Sequence, residues 1–268
     1  MDMFARPGTH GVAGRHLVGK GAVITGSTSG IGLGIARGLA AAGANLLLNG
    51  FGDAGSIAGL RDRLEREFDV TVAYSGADMS RPDQIETMLA EAVHTLGAVD
   101  ILVNNAGIQH VAPLESFPPA KWDQILAINL TAAFHTMRLA IPGMSARGWG
   151  RIVNIASVAG MRAVGVGRTG YGTSKAAVIG LTRQMAVELA EHGITANAVA
   201  PGPVDTPMTR VLHSPQFRKS YTDAIPMNRY GTPEEVAAAV GYLVSDAAAY
   251  TTGIVIPVDG GFLASGAR

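Results

Sequence analysis

The segment Thr25-Gly-Ser-Thr-Ser-Gly-Ile-Gly32 decides the fold, because it follows a short apolar run and precedes a helical pattern. In that position Gly26 permits a tight turn, Gly30 lets the backbone approach a pyrophosphate, and Gly32 lets the helix pack close to the sheet. The helix N-terminus then faces the anion, where its N–H groups and dipole are favourable. A plain glycine-rich turn between a strand and a helix is the alternative. The segment predicts a strand-loop-helix unit suited to a dinucleotide, and the surrounding sequence decides between the two.

Short apolar runs alternate with helical patterns from residue 20 to the C-terminus. Runs that are apolar without alternation are typical of strands buried on both faces, as in a parallel sheet covered by helices. We therefore predict an α/β fold, a Rossmann-type doubly wound parallel sheet of about seven strands with helices on both faces. The predicted strands are Ala22–Thr25, Asn45–Leu48, Val70–Tyr74, Ile101–Val103, Ile152–Ile155, Thr195–Val199 and Ile254–Pro257. The predicted helices lie near 31–42, 55–68, 81–96, 121–147, 172–192 and 233–245, several ending at Gly43, Gly97, Gly148 or Gly193.

The two ends and one long connection complete the predicted organisation. Residues 1–14 contain Pro and Gly but no apolar region typical of a signal peptide, so we predict a flexible extension there. Residues 15–268 are predicted to form a single dinucleotide-binding domain. Within it, residues 202–231 show little periodicity, and a connection of this length predicts a functional lid.

The composition argues against several classes of protein. The chain has 268 residues, 21 basic and 21 acidic residues, and no Cys. A chain of this length buries a large core without disulfides or metals. Its zero net charge argues against a nucleic-acid partner or an anionic membrane surface, and no apolar run approaches the roughly 20 residues of a membrane helix. We therefore predict a soluble cytoplasmic protein with a small-molecule ligand, no metal, no nucleic acid and no membrane.

Further motifs follow the glycine loop in a fixed order. Asn104-Asn-Ala-Gly107 follows the fourth predicted strand, Asn129 lies in the next helix, and Ser157 ends the fifth strand. Tyr171-Gly-Thr-Ser-Lys175 then opens a helix, and Pro201-Gly202 follows the sixth strand. In these motifs, and in the Gly-x-x-x-Gly-x-Gly spacing of its loop, the chain resembles the short-chain dehydrogenase/reductase family. The resemblance implies an enzyme that transfers a hydride between a CH–OH group and a nicotinamide cofactor.

The resemblance covers residues 19 to 263 and implies a role for each motif. Tyr171 would take the hydroxyl proton, Ser157 would donate to the substrate oxygen, and Lys175 would bind the nicotinamide ribose. Asn129 would hold a water that relays the proton. The implied cofactor contacts are Gly26, Thr28, Gly30, Ile31, Gly32, Phe51, Asp78, Met79, Asn105, Gly107, Tyr171, Lys175, Pro201, Gly202, Val204 and Thr206.

The chemistry of alcohol oxidation sets a requirement on the pKa of Tyr171. An unperturbed phenol has a pKa of about 10, roughly three units above neutral pH. Lys175 lies four residues further along the predicted helix, so the two side chains share a face. We expect the ammonium group, together with the positive charge of the oxidised nicotinamide, to lower the pKa of Tyr171.

The loop after the second predicted strand bears on the choice between NAD and NADP. A dinucleotide site usually holds the adenosine ribose with an acidic residue, whereas a 2′-phosphate needs Arg or Lys. Gly50, Phe51 and Gly52 occupy this position, and residues 27–29 add no cation. We therefore predict NAD in preference to NADP, with Phe51 beside the adenine or ribose and Asp53 as a candidate ribose partner. A new Arg at position 50 or 52 should narrow the preference.

Residues 49–53 and 104–113 resemble a subgroup of the family, the bacterial D-3-hydroxybutyrate dehydrogenases. The subgroup's carboxylate-binding Gln is present as Gln109, whereas its His is replaced by Ala159 and its Lys by Arg168. A guanidinium can bind a carboxylate in a bidentate manner. We therefore predict that Gln109 and Arg168, together with Ser157 and Tyr171, contact 3-hydroxybutyrate or a similar small hydroxy acid. A solvated loop arginine is the alternative for position 168.

Other functions remain open at this point. The same site could reduce 3-oxoacyl groups on a carrier protein with NADPH, or oxidise polyols or cyclic alcohols. A non-catalytic dinucleotide sensor would be expected to lack Tyr171 or Lys175, and both are present. The resemblance also implies a homotetramer built on helices 121–147 and 172–192.

Overall fold

The computed structural model describes residues 14–212 and 214–265, and of Leu212 only the backbone. Apart from Gly14, the predicted N-terminal extension lies outside the described residues, so its flexibility stays a prediction.

The described residues form one seven-stranded sheet, and every strand pair in it is parallel. The strand order is β3-β2-β1-β4-β5-β6-β7, so the order reverses next to β1. The predicted fold class is confirmed, and each predicted strand overlaps an observed one. The strands are β1 Gly21–Ile24, β2 Asn45–Asn49, β3 Val72–Ser75, β4 Ile101–Asn104, β5 Gly150–Ile155, β6 Ile194–Pro201 and β7 Val255–Val258.

Helices cover both faces of the sheet. Val23 of β1 packs with one buried cluster and its neighbour Ile24 with another, as expected for a strand covered on both sides. The four glycines predicted to end helices all have positive φ, from 63° at Gly148 to 94° at Gly43. The helices are α1 Gly30–Ala41, α2 Ala54–Phe68, α3 Pro82–Leu96, α4 Pro119–Leu126, α5 Ala132–Arg147, α6 Thr169–Leu189, α7 Pro207–Leu212, α8 Pro215–Ala224 and α9 Pro233–Val244.

The prediction of one regular helix over 121–147 is wrong in detail. A π-helical turn at Ala127–Thr131 separates α4 from α5. Such turns insert an extra residue into the helix and occur frequently at functional sites. Here the turn contains Asn129, whose buried side chain is directed at the loop after β4.

Within the described residues, one helical segment, Pro119–Arg147, has the length and apolar composition of a membrane-spanning helix. It packs on the sheet instead, because Met137 and Met144 are fully buried in the same cluster as Ile152 of β5. A core helix of this kind passes the same test of length and composition.

The segment 202–231 is not a structureless connection. It contains α7 and α8, which low hydrophobic periodicity concealed in the sequence. Asp205 holds both helices, since its carboxylate accepts hydrogen bonds from Arg210 at 2.9 Å and Arg218 at 3.0 Å. The bonds from Arg210, with those from Arg218, lower the pKa of Asp205. The action of this segment as a lid stays a prediction.

Candidate active site

A cleft of about 500 Å³ opens at the carboxyl edge of the sheet, where the strand order reverses. Ligands of open α/β sheets bind at this kind of position. The cofactor contacts that the family resemblance implies all line the cleft, as do Ser157, Gln109 and Arg168. Two predicted residues do not line it: Asn129, which borders a small cavity instead, and Asp53.

The glycine loop between β1 and α1 has the geometry that a pyrophosphate requires. Gly26 and Gly30 have φ of 62° and 56°. Ser29 precedes α1 without a side-chain capping bond, and the first turn carries no acidic residue. The N-terminus of α1 therefore presents backbone N–H groups to the cleft, and these residues fit an anionic group of a dinucleotide.

The role predicted for Gly32 needs a correction. A Cβ at this position would lie 2.2 Å from the carbonyl oxygen of Gly26 and 2.5 Å from Nδ2 of Asn105. The close approach is therefore to the loop itself and to the end of β4, not to the face of the sheet.

Asn49, at the end of β2, braces the glycine loop and was not predicted as a site residue. Its side chain is buried, with Oδ1 accepting from the N–H of Gly26 at 3.2 Å. Its Nδ2 donates to the carbonyl oxygens of Ser75 and Ala77 at 3.1 and 2.9 Å. The sequence did contain a signal for this role, since Asn49 is a polar residue at the carboxyl end of an apolar strand.

Asn105 supports the same loop from the other side. Its Nδ2 donates to the carbonyl oxygens of Thr25 and Gly26 at 2.9 and 2.8 Å, and its N–H donates to Thr25 Oγ1. The side-chain amide donors of Asn105 are thus used in positioning the loop at the cleft.

Among the described residues that line the end of the cleft where a nucleoside would lie, Asp78 is the one with an ionisable side chain. Phe51 is 71% exposed and lines the cleft, with its carbonyl oxygen accepting from Thr28 Oγ1 at 3.1 Å. Gly50 has φ of 148°, and a Cβ there would lie 2.6 Å from Thr28 Oγ1. Position 50 is therefore unsuitable for a new arginine, and Phe51 is the better position.

Asp53 differs from its predicted role, whereas Asp78 lies in the cleft, where a cofactor contact is predicted. Asp53 caps α2, accepting from the N–H of Ser56 at 2.9 Å, and does not line the cleft. The hydrogen bonds from Ser56 lower the pKa of Asp53. The Oδ1 atom of Asp78 accepts from the N–H and hydroxyl of Ser80 at 2.8 Å each.

Ser157 and Tyr171 meet where β5 ends and α6 begins. Burial raises the pKa of the Tyr171 phenol, while a hydrogen bond with Ser157 and the charge of Arg168 act in the opposite direction. The polypeptide without a bound cofactor therefore does not lower the pKa of Tyr171 as expected. The expectation also required the positive charge of an oxidised nicotinamide, which is not part of the polypeptide.

Lys175 is buried on the same face of α6. Its Nζ lies 5.8 Å from the centre of the Tyr171 ring and donates to the carbonyl oxygen of Ile155 at 2.7 Å. Burial lowers the pKa of Lys175 to about 8. The ammonium thus persists at neutral pH, held by a single carbonyl group and close to the phenol.

Asn129 links the loop after β4 to α6. Its Oδ1 accepts from the N–H of Ile108 at 2.8 Å, and its Nδ2 donates to the Ile108 carbonyl and to Ser174 Oγ. Ser174, also missed in the sequence, donates in turn to the Tyr171 carbonyl oxygen at 2.8 Å. Asn129 also lines a cavity of about 10 Å³, close to the size that holds one water. Its role in a water relay stays a prediction.

Arg168 and Gln109 both line the cleft. The Arg168 guanidinium lies over the rings of Phe217 and Tyr221, 5.6 and 5.9 Å from their centres. No ion pair within the described part of the chain includes Arg168. Arg168 therefore places a positive charge at the cleft, and no carboxylate of the described residues pairs with it. The alternative of a loop arginine directed into solvent does not fit this position.

The chain is similar over most of its length to known oxidoreductases. A family model described as enoyl-(acyl carrier protein) reductase matches residues 26–263. D-beta-hydroxybutyrate dehydrogenase of Cupriavidus necator is 45% identical, over 92% of this chain and 99% of that protein. A 3-oxoacyl-(acyl-carrier-protein) reductase of Aquifex aeolicus is 38% identical, over 91% and 98%. The structure of a gluconate 5-dehydrogenase from Burkholderia cenocepacia, in complex with NADP and tartrate, matches with a TM-score of 0.87 at 35% identity, over 93% of this chain and 97% of that one.

Proposed function

Since this chain belongs to the short-chain dehydrogenase/reductase family, whose members act on alcohol and ketone groups, we propose that it transfers a hydride between NAD and a small 3-hydroxy acid such as 3-hydroxybutyrate. The observation that carries the choice of an acid is Arg168, a cation on the cleft wall with no carboxylate partner among the described residues. The Cupriavidus necator relative, named for 3-hydroxybutyrate, supports the same substrate.

The proposed reaction uses six side chains of this chain, two of which hold the substrate carboxylate. Ser157 donates a hydrogen bond to the substrate oxygen, and Tyr171 takes the hydroxyl proton. Lys175 places a positive charge near the phenol, and Asn129 fixes the loop after β4 against α6. The oxidised nicotinamide, when bound, supplies the hydride acceptor and a second positive charge.

Arg168 and Gln109 hold the carboxylate, so that the carbon bearing the hydroxyl group lies beside Tyr171 and Ser157.

The remaining cleft residues are proposed to hold the cofactor. The N-terminus of α1 binds the pyrophosphate, Asp78 binds the adenine amino group, and Lys175 also binds the nicotinamide ribose. Supporting contacts come from both sides of the cleft: Gly26, Thr28, Gly30, Ile31, Gly32, Phe51, Met79, Asn105, Gly107, Pro201, Gly202, Val204 and Thr206.

We propose NAD rather than NADP because Arg168 and Lys175 are the cations that line the described cleft, and both lie at its catalytic end. A 2′-phosphate near Phe51 would be desolvated without a paired charge. Phe51→Arg should therefore shift the ratio of NADP to NAD affinity toward NADP by about ten-fold or more.

Fluorescence titration of both cofactors measures this ratio. Val93→Arg, at an exposed position of α3 outside the cleft, adds the same charge and should leave the ratio unchanged. Equal affinity of the unaltered chain for the two cofactors would show that Phe51 and Gly50 do not set the preference.

Arg168→Ala tests the carboxylate contact. A charge-assisted hydrogen bond contributes roughly 1.5–3 kcal/mol, so kcat/KM for 3-hydroxybutyrate should fall by about 10–150-fold. A neutral secondary alcohol such as 2-butanol should lose less, because it loses only the effect of the Arg168 charge on the Tyr171 phenol. Steady-state rates with both substrates give the comparison, and Arg63→Ala on the exposed face of α2 is the matched control. Equal losses on both substrates would mean that Arg168 does not bind the carboxylate.

Reduction of 3-oxoacyl groups on a carrier protein is the second candidate function. It is favoured by the Aquifex aeolicus relative and by the description of the matching family model. Reduction of a 3-oxoacyl thioester with NADPH, faster than oxidation of 3-hydroxybutyrate with NAD, would select this alternative. Oxidation of polyols or cyclic alcohols is measured in the same way, as reduction of NAD or NADP with each alcohol as substrate.

We also propose that the chain works in the cytoplasm as a homotetramer built on α4 to α6. The zero net charge and the family membership support this proposal. Sedimentation equilibrium of the purified chain measures the number of subunits.

A further inference from the structure

A second cavity of about 710 Å³ adjoins the catalytic cleft. Gln109, Val164, Arg168 and Tyr221 line both spaces, so the second cavity lies directly beside the catalytic cleft. Its volume lies within the range of pockets that bury small organic ligands. A four-carbon hydroxy acid held at Arg168 and Tyr171 would leave this space to water.

The second cavity is largely apolar and carries positive charge. Arg168 lies over Phe217 and Tyr221, and the Arg162 guanidinium lies 4.9 Å from the centre of the Phe262 ring. No acidic side chain is among the described residues that line it. Its apolar lining comes from the loop after β4, the loop before α6, α8 and the C-terminal segment: Val111, Ala163, Val164, Val166, Phe217, Ala224 and Phe262.

We propose that this second cavity, the tail cavity, receives the hydrocarbon chain of a 3-hydroxy acid longer than 3-hydroxybutyrate. The proposal rests on the proposed hydroxy-acid function, because it needs the carboxylate at Arg168 and the hydroxyl at Tyr171. Beyond the carbon that bears the hydroxyl group, the chain passes Val164 and Tyr221 and packs between Val111 and α8. Burial of each methylene strengthens binding by about four-fold, and the absence of lining carboxylates avoids repulsion of an acid.

The ratio of kcat/KM for 3-hydroxyoctanoate to that for 3-hydroxybutyrate tests the proposal. The unaltered chain should give a ratio of at least about ten, well below the full gain from four buried methylenes. Val111→Phe narrows the cavity from the exposed side of the loop and should lower that ratio at least about five-fold. Ala224→Phe narrows it from α8 and serves as a second variant should Val111→Phe disturb its loop.

Val93→Phe is the matched control, since Val93 and Val111 are 51% and 57% exposed and Val93 lies on α3, outside both cavities. It should leave the ratio unchanged. If the chain oxidises 3-hydroxybutyrate but the ratio of the two kcat/KM values is one or less, the proposal for the tail cavity is wrong and the proposed function stands. A high ratio that neither narrowing variant lowers would also overturn it, because the tail would then lie elsewhere. Oxidation of neutral alcohols but of neither acid would instead overturn the hydroxy-acid function itself.

Discussion

Tyr171→Phe is expected to lower turnover of 3-hydroxybutyrate by at least about 10²–10⁴-fold, the contribution typical of general acid–base catalysis. The substitution removes the phenol oxygen, which hydrogen-bonds with Ser157, and keeps the ring at the start of α6. Cofactor affinity should change far less, because the glycine loop and the N-terminus of α1 lie at the other end of the cleft. Turnover and NAD affinity are measured separately, by steady-state kinetics and by fluorescence titration.

Tyr250→Phe is the control for loss of a tyrosine hydroxyl, since Tyr250 is fully exposed and does not line the cleft. Retention of more than about a tenth of normal turnover in Tyr171→Phe would assign the base to another residue. A loss accompanied by unfolding is separated from a catalytic loss by circular dichroism of the same sample.

Lys175→Met is expected to give the second largest loss. The Nζ of Lys175 lies 5.8 Å from the centre of the Tyr171 ring, and a positive charge close to a phenol favours phenolate. Loss of the proposed charge-assisted hydrogen bond to the nicotinamide ribose costs about 1.5–3 kcal/mol, so kcat/KM should fall by at least about 10–150-fold. Without the ammonium the phenol loses one nearby positive charge, so we expect the rise of rate with pH to move to higher pH.

A pH–rate profile of Lys175→Met between neutral and alkaline pH measures this shift. Lys20→Met is the matched control, because Lys20 lies over Trp149 at the amino end of the sheet and does not line the cleft. A profile of Lys175→Met that keeps its midpoint would show that the charge of Lys175 does not act on the phenol.

Lys175→Met should also make the folded chain without cofactor more stable at neutral pH. Burial lowers the pKa of Lys175 from 10.5 to about 8, so the unfolded chain binds its proton more tightly than the folded chain. The resulting cost of about 3 kcal/mol is fully present below pH 8 and disappears as the pH rises to 10.5. Loss of the hydrogen bond to Ile155 offsets part of the gain, which leaves about 1 kcal/mol in favour of Lys175→Met at pH 7.

Urea unfolding at a series of pH values measures this difference. The advantage of Lys175→Met should shrink and reverse between pH 8 and 10.5, where the unaltered lysine loses its proton on folding. A difference in free energy of unfolding that does not vary with pH would contradict the assignment of the cost to a buried ammonium.

The fold could be predicted from the sequence because strands buried on both faces and helices that end at glycine leave local patterns. Gly148, for example, adopts the positive φ that its place after a helical pattern indicates. The π turn around Asn129 could not be predicted, because it depends on a buried amide bonding to Ile108 and Ser174, far apart in sequence. The helices α7 and α8 were missed because Asp205, and not an apolar stripe, fastens them.

The positions of the site residues followed from the motifs, but their charge states did not. The lowered pKa of Lys175 and the raised pKa of Tyr171 both come from burial, which depends on how α6 packs at the end of β5. Asn49 was missed for a related reason, since its bonds to Gly26 and Ala77 join segments that only the parallel sheet brings together. Side-chain networks across strands depend on tertiary structure and leave little trace in one sequence.

The most direct test of the proposed function is the rate at which the purified chain oxidises 3-hydroxybutyrate and 2-butanol, measured as NADH formed from NAD and as NADPH formed from NADP. We predict that kcat/KM for 3-hydroxybutyrate with NAD exceeds the value for 2-butanol by at least about ten-fold, because Arg168 binds the carboxylate. We also predict that NADP supports a lower rate than NAD. Oxidation of 2-butanol without oxidation of 3-hydroxybutyrate, or a higher rate with NADP, would contradict this account.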